Sequence, residues 1–86
     1  MNKLNKIIID VRTPEEFSLG HVNGSLNLSL QEIGDRIDEV KSYNQTILLC
    51  CTSGNRSGQA SMFLKTQGVD CEDGSSWRDV ERMLQN

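Results

Sequence analysis

The chain alternates short apolar runs with amphipathic stretches, a pattern that predicts a β-α-β-α-β-α-β-α order. Residues 6–10, Lys-Ile-Ile-Ile-Asp, read as a buried strand. A helix follows directly: Thr13 can cap it, Pro14 suits its first turn, and Glu16 completes a capping box. Gly20 stops this helix within two turns, and residues 24–28 read as a turn into a brief strand. Ser29 with Glu32 repeats the capping-box spacing. Leu30, Ile33, Ile37 and Val40 then recur at helical intervals, with Asp35, Arg36, Asp38 and Glu39 on the wet side. This predicts a helix over residues 30–40 that Gly34 weakens without breaking. Residues 46–51 form the strongest predicted strand, followed at once by a polar, glycine-containing turn. A helix over residues 57–67 would bury Ala60, Phe63 and Leu64 and stop at Gly68. A weak strand near residues 69–72 leads to a last helix over 76–84, burying Trp77, Val80 and Leu84.

This order predicts an α/β fold with a small, mostly parallel sheet and its chemistry at the carboxyl ends of the strands. Eighty-six residues make one domain spanning the whole chain. At 36% apolar and 24% charged residues, the composition suits a globular domain rather than a disordered one. The net charge of −3 argues against nucleic acid or an anionic membrane as the main partner. The apolar run at residues 7–9 is far too short for a signal core or a membrane span, so a cytoplasmic monomer is expected. Three cysteines, two of them adjacent, do not suggest a disulfide scaffold, because neighbouring extended residues point to opposite faces. The usage fits a reducing compartment.

The informative segment is Cys51-Thr52-Ser53-Gly54-Asn55-Arg56-Ser57, between a strand and a helix. A strand ending in such a turn can curl its amides towards one point and add the positive end of the next helix. Gly54 lets the backbone turn with no side chain in the way. Bringing a free thiol of pKa about 8.5 to mostly thiolate at neutral pH takes about 2.7 kcal/mol. A helix N-terminus supplies up to ~2 kcal/mol of this, and amide hydrogen bonds can supply the rest. No histidine base is required. Cys51 is therefore the candidate nucleophile, while Cys50 and Cys71 read as small buried hydrophobes. Arg56 is placed to help hold an anion, with a helix-start surface role or a clamp on the loop as alternatives. Asp10, Arg12 and His21 could be read as acid–base machinery. The structural reading is preferred: Asp10 and Arg12 tie the strand end to neighbouring backbone, and His21 satisfies a turn.

Cys51-x-x-Gly54-x-Arg56-Ser57 resembles the active-site loop of the rhodaneses. The run Ile9-Asp10-Val11-Arg12, then Glu15-Glu16-Phe17, Gly20-His21-Val22, and Gly24-Ser25 with Asn27, resembles that family's leading signature. Gln59-Ala60, Leu64 and Gly68 fit the helix after the loop. The match runs over about residues 7–68 and is most similar to the short, single-domain, phage-shock-type members. The resemblance implies a rhodanese-like three-layer sandwich and a ping-pong sulfurtransferase. In it, the Cys51 thiolate takes sulfane sulfur from a donor such as thiosulfate, and a nucleophilic acceptor such as cyanide or a thiol removes it. Thr52, Ser53, Gly54, Asn55, Arg56 and Ser57 would form the substrate loop, with no cofactor and no metal. Ser75-Ser76 stands where the family usually carries a glycine pair, and the extra first strand of larger rhodaneses is absent. With one basic residue in the loop, a protein persulfide is an alternative to dianionic thiosulfate as donor.

Two rivals remain. Counting from Cys50 leaves five residues before Arg56, the spacing of cysteine phosphatases, some of which share the rhodanese fold. The glycine three positions after the nucleophile is present only for Cys51, and the four-residue gap suits a sulfur atom rather than a phosphate. The other rival is a non-catalytic rhodanese-like binding or regulatory module, against which the retained cysteine counts.

Overall fold

A computed structural model describes residues 4–85 and contains four strands and four helices in strict alternation. Strands β1 (Ile7–Asp10), β2 (Leu26–Asn27), β3 (Ile47–Cys51) and β4 (Cys71–Ser76) form one parallel sheet in the order β2-β1-β3-β4. Helices α1 (Pro14–Ser18), α2 (Ile37–Ser42), α3 (Asn55–Thr66) and α4 (Trp77–Gln85) connect and flank it.

Side chains alternate across a strand, so a sheet covered on both faces needs apolar residues at every position. Strand β3 meets that demand with Ile-Leu-Leu-Cys-Cys, all buried. Ile47, Leu49 and Cys51 join Ile9, Val11, Leu28, Val40, Ala60 and Leu64 on the α2/α3 side. Leu48 and Cys50 join Ile8, Val22 and Val80 on the other side, under Trp77 and Leu84 of α4. Each fully buried Leu or Ile contributes roughly 1.5–3 kcal/mol.

The start of α1 follows the residue types. The Glu16 N–H donates to Thr13 Oγ1 at 3.3 Å, the Thr13 N–H donates to Glu16 Oε1 at 3.1 Å, and Pro14 occupies the first turn. Four expectations need correction. Residues 29–36 form successive turns, and α2 is helical only over Ile37–Ser42. The Ser29 N–H still donates to Glu32 Oε1 at 3.2 Å, but Gly34 and Asp35 are poor helix formers, and consecutive turns suffice to bury Ile33. Helix α3 begins two residues earlier than expected, at Asn55, and its buried face is Ser57, Ala60, Ser61 and Leu64, whereas Phe63 is 36% exposed. Strand β4 lies over Cys71–Ser76 rather than residues 69–72, because the first partner of Ile47 is Cys71. In α4 only Val80 is fully buried, with Trp77 and Leu84 partly so.

A fifth correction concerns the end of β4. Leu49 pairs with Asp73 but Cys51 pairs with Ser76, so β4 carries an extra residue in a bulge. Gly74 makes the close approach: a Cβ there would lie 2.7 Å from Val80 Cγ2 and 2.9 Å from the Leu49 carbonyl oxygen. Ser75 takes the left-handed conformation, with φ of 68°. The backbone demand that a glycine pair would meet thus falls on Gly74 and Ser75, one position before Ser75-Ser76. A left-handed L-residue costs roughly 1–2 kcal/mol. Ser75→Gly should therefore raise stability by about 1 kcal/mol in urea unfolding, the added freedom of the unfolded chain offsetting part of the gain.

Candidate active site

The sheet's carboxyl edge brings together the end of β3, the loop Thr52–Gly54 and the first turn of α3. Gly54 is the N-cap residue of α3, with φ of 94°, and a Cβ there would sit 2.7 Å from Ser75 Oγ. This conformation turns the loop amides inward. The Gly54 N–H donates to Cys51 Sγ at 2.9 Å and the Ser57 N–H at 3.4 Å, with Ser57 Oγ also 3.4 Å from the sulfur. Cys51 is completely buried beneath these groups, while Thr52, Ser53 and Asn55 are exposed on the loop's outer side. Burial of the thiol opposes its ionisation. It is outweighed by the Ser57 hydroxyl and by the amides of Ser57, Gly54 and Ser53, which hold Cys51 below the usual thiol range. Cys50 has the opposite environment. Burial, and then the charge of Asp10, push its thiol up to about 12.

Arg56 does not stand free at the loop. Its Nη1 donates to Glu16 Oε1 at 2.7 Å and its Nη2 to Glu16 Oε2 at 3.0 Å, a two-pronged pair joining α1 to α3. Thr52 Oγ1 adds a longer bond to Glu16 Oε2 at 3.4 Å. The Arg56 pair, followed by the Thr13 amide, lowers the Glu16 carboxyl to about 2. A depressed carboxyl pKa means that this link is at full strength above the ordinary range near 4.5 and is lost as pH falls towards about 2. Glu16 was legible from sequence as a helix cap and as part of the leading signature, but nothing in its spacing marks it as the partner of Arg56.

Asp10 and Arg12 form a buried ion pair at the end of β1. Arg12 Nη2 lies 2.7 Å from Asp10 Oδ2, Arg12 Nε 2.9 Å from Oδ1, and Arg12 Nη2 also donates to the Gly20 carbonyl at 2.7 Å. The Asn27 amide donates to the carbonyls of both residues, at 3.1 and 2.9 Å. The Arg12 guanidinium lies over the Trp77 ring, 5.0 Å from its centroid. His21 is exposed, its Nδ1 2.7 Å from the Phe17 carbonyl oxygen and its ring stacked on Phe17 at 3.6 Å. These contacts organise the strand end and the turn after α1. Cys71 is buried beside Ser61, 3.7 Å from its Oγ. Sequence reasoning did not single out Asp73, whose Oδ1 accepts from Ser57 Oγ at 2.6 Å and from the Ser75 N–H at 2.9 Å. Among the described residues, no group of three or more His, Cys, Asp and Glu is placed to hold a metal ion. No helix among them is long and apolar enough to cross a membrane.

The family model described as "Rhodanese-like domain" matches residues 1–81. The chain belongs to the rhodanese-like family. It is 36% identical over 74 residues to thiosulfate sulfurtransferase PspE of Escherichia coli, across 84% of this chain and 71% of that protein. It is 32% identical over 62 residues to thiosulfate sulfurtransferase GlpE of Ectopseudomonas mendocina, across 72% of this chain but only 56% of that protein. The fold agrees with the crystal structure of a rhodanese-related protein from Thermoplasma volcanium. Its TM-score is 0.81 at 24% identity, over 93% of this chain and 79% of that one.

The two adjacent cysteines should separate cleanly by reactivity. In a pH series of iodoacetamide labelling with peptide mapping, Cys51 should show a midpoint below that of a model thiol. Cys50 should stay unmodified until the solution approaches its pKa of about 12. Equal midpoints for the two would contradict the environments described.

Proposed function

We propose that this rhodanese-like domain is a sulfurtransferase that carries sulfane sulfur as a persulfide on Cys51. The observation that carries the reading is the convergence of the Gly54 and Ser57 amides on Cys51 Sγ, at 2.9 and 3.4 Å, at the N-terminus of a twelve-residue helix. Amides aimed at a sulfur favour its anion, and the thiolate is the attacking species.

In the first half-reaction the Cys51 thiolate attacks the outer sulfur of thiosulfate. A new S–S bond forms at Cys51, the donor's S–S bond breaks, and sulfite leaves with the electron pair. In the second, a nucleophile such as cyanide or a thiolate attacks the outer sulfur of the persulfide, and Cys51 leaves as thiolate. The charge carried on sulfur is met by the same amides in both steps, so no further base is needed. The names of PspE and GlpE support thiosulfate as a donor. The Glu16 pairing of Arg56 supports a persulfide donor as well, because the loop's own cation is already neutralised. Since Cys51 is completely buried, a donor reaches it only when residues 52–56 lift, against the bonds from Arg56 and Thr52 to Glu16.

The phosphatase rival requires Cys50 as nucleophile, and Cys50 lies on the other face of the sheet with its thiol pushed up to about 12.

Cys51→Ser should reduce thiosulfate:cyanide sulfur transfer to background, since an alcohol offers almost no anion at neutral pH. Incubation with thiosulfate should add the mass of one sulfur to the parent and none to this variant. Cys50→Ser should keep most activity while losing roughly 1–3 kcal/mol of stability, the cost of a hydroxyl in an apolar layer. Cleavage of an aryl phosphate that survives in Cys51→Ser and disappears in Cys50→Ser would overturn the assignment. Arg56→Ala frees the loop from Glu16, so it should lower the thiosulfate concentration needed for half-maximal rate and cost at most about 1 kcal/mol of stability, the scale of a partly exposed pair.

A further inference from the structure

The Ser57 hydroxyl has one proton and three acceptors within reach. Asp73 Oδ1 is 2.6 Å away, the Gly54 carbonyl oxygen 3.2 Å and Cys51 Sγ 3.4 Å. The shortest of these, to a carboxylate, takes the proton. The oxygen lone pair then faces the sulfur, an arrangement that accepts a bond from a thiol S–H and repels a thiolate. Ser57 is completely buried, away from bulk solvent. The same Asp73 oxygen accepts from the Ser75 N–H at 2.9 Å, which fixes the carboxylate within the β4 bulge. A simple turn-capping role would account for the Ser75 contact alone. It leaves unexplained why the shorter bond runs across to α3 and ends one atom from the sulfur.

We infer that Asp73 is a positioning residue that draws the Ser57 proton away from Cys51 and so offsets part of the acidity that the loop amides confer on the sulfur. When Cys51 becomes an anion, on losing its proton to solvent or on releasing the outer sulfur to an acceptor, the Ser57 hydroxyl turns from Asp73 to Sγ. Only then does it join the Gly54 and Ser57 amides in holding the charge. The hydroxyl is thus a two-position donor, and Asp73 sets the pH at which it changes position. The functional meaning rests on Cys51 as the sulfur carrier, whereas the titration itself does not.

The other ionisable groups around the sulfur are each accounted for. Arg56 of α3 is paired with Glu16 of α1, Asp10 at the end of β1 is paired with Arg12, and Cys50 lies on the opposite face of β3. On α4, Arg78 lies over the Trp77 ring and Asp79 pairs with Arg82. Asp73 is the carboxylate that reaches Cys51 through a single hydroxyl.

Asp73→Asn keeps an acceptor oxygen for the Ser75 amide but weakens the claim on the Ser57 proton. Followed by iodoacetamide labelling against pH, the Cys51 midpoint should fall by roughly half to one pH unit relative to the parent. The same substitution in a Ser57→Ala background should move the midpoint far less, because the hydroxyl through which Asp73 acts is gone. The shift in the single variant should also survive high salt, which screens a distant charge but not the orientation of a buried hydroxyl. No shift, an upward shift, an equal shift in the Ser57→Ala background, or a shift erased by salt would overturn the inference. Should Ser57→Ala fail to fold by circular dichroism, the salt comparison on Asp73→Asn alone decides. Intact mass of the parent after thiosulfate separates the two readings. Failure to gain sulfur would count against the sulfurtransferase, while the midpoint shift would still report on Asp73.

Discussion

The constraint on which this domain rests is a sheet buried on both faces. With helices above and below, each step along β3 must send a side chain into one core or the other, and no position is left for a polar residue until the strand ends. That rule places Cys50 and Cys51 in different layers, although they are neighbours in the chain. One sulfur meets the charge of Asp10 in a closed apolar layer, and the other meets the inward amides of a turn. The contrast between an inert and an activated thiol therefore comes from strand geometry before any catalytic residue is considered. It also explains why the loop has to begin at Cys51: the next residues, Thr52 and Ser53, are the first that the sheet could not accommodate.

Much of this was legible in the residues. Runs such as Ile7-Ile8-Ile9 and Ile47-Leu48-Leu49 have no reading other than a covered strand, and the Thr13-Pro14-Glu16 pattern is a helix start with a local mechanism. The candidate loop was legible because a cysteine, a glycine and a helix start lie within a few residues of each other. Contacts made across the fold were not. Glu16 meets Arg56 forty positions away and Ser57 meets Asp73 sixteen positions away, and neither spacing carries a periodic signal. The β4 bulge was hidden for a related reason. Cys-Glu-Asp-Gly-Ser-Ser lacks the apolar alternation of a strand, since β4 is an edge strand held by its pairing with β3 and by Gly74 against Leu49 and Val80. The short α2 shows the limit of periodicity, because turns can present the same apolar residues as a helix when Gly34 and Asp35 interrupt it.

At the loop itself, fixed dipoles do the electrostatic work and full charges are paired off. Arg56 is committed to Glu16, Arg12 to Asp10, and the sulfur is left to backbone amides and one hydroxyl.

The complete burial of Cys51 has a consequence for how long the protein remains usable. Thiols whose acidity is raised are also those that peroxides attack first, and two further oxidation steps take a sulfenic acid to forms that are not readily repaired. That susceptibility depends on exposure as well as acidity, and this loop separates the two. In the structure the sulfur combines a lowered thiol pKa with the shelter of a core residue. The carboxylate of Glu16, a helix cap, also ties that sheltering loop to α1 through Arg56 and Thr52.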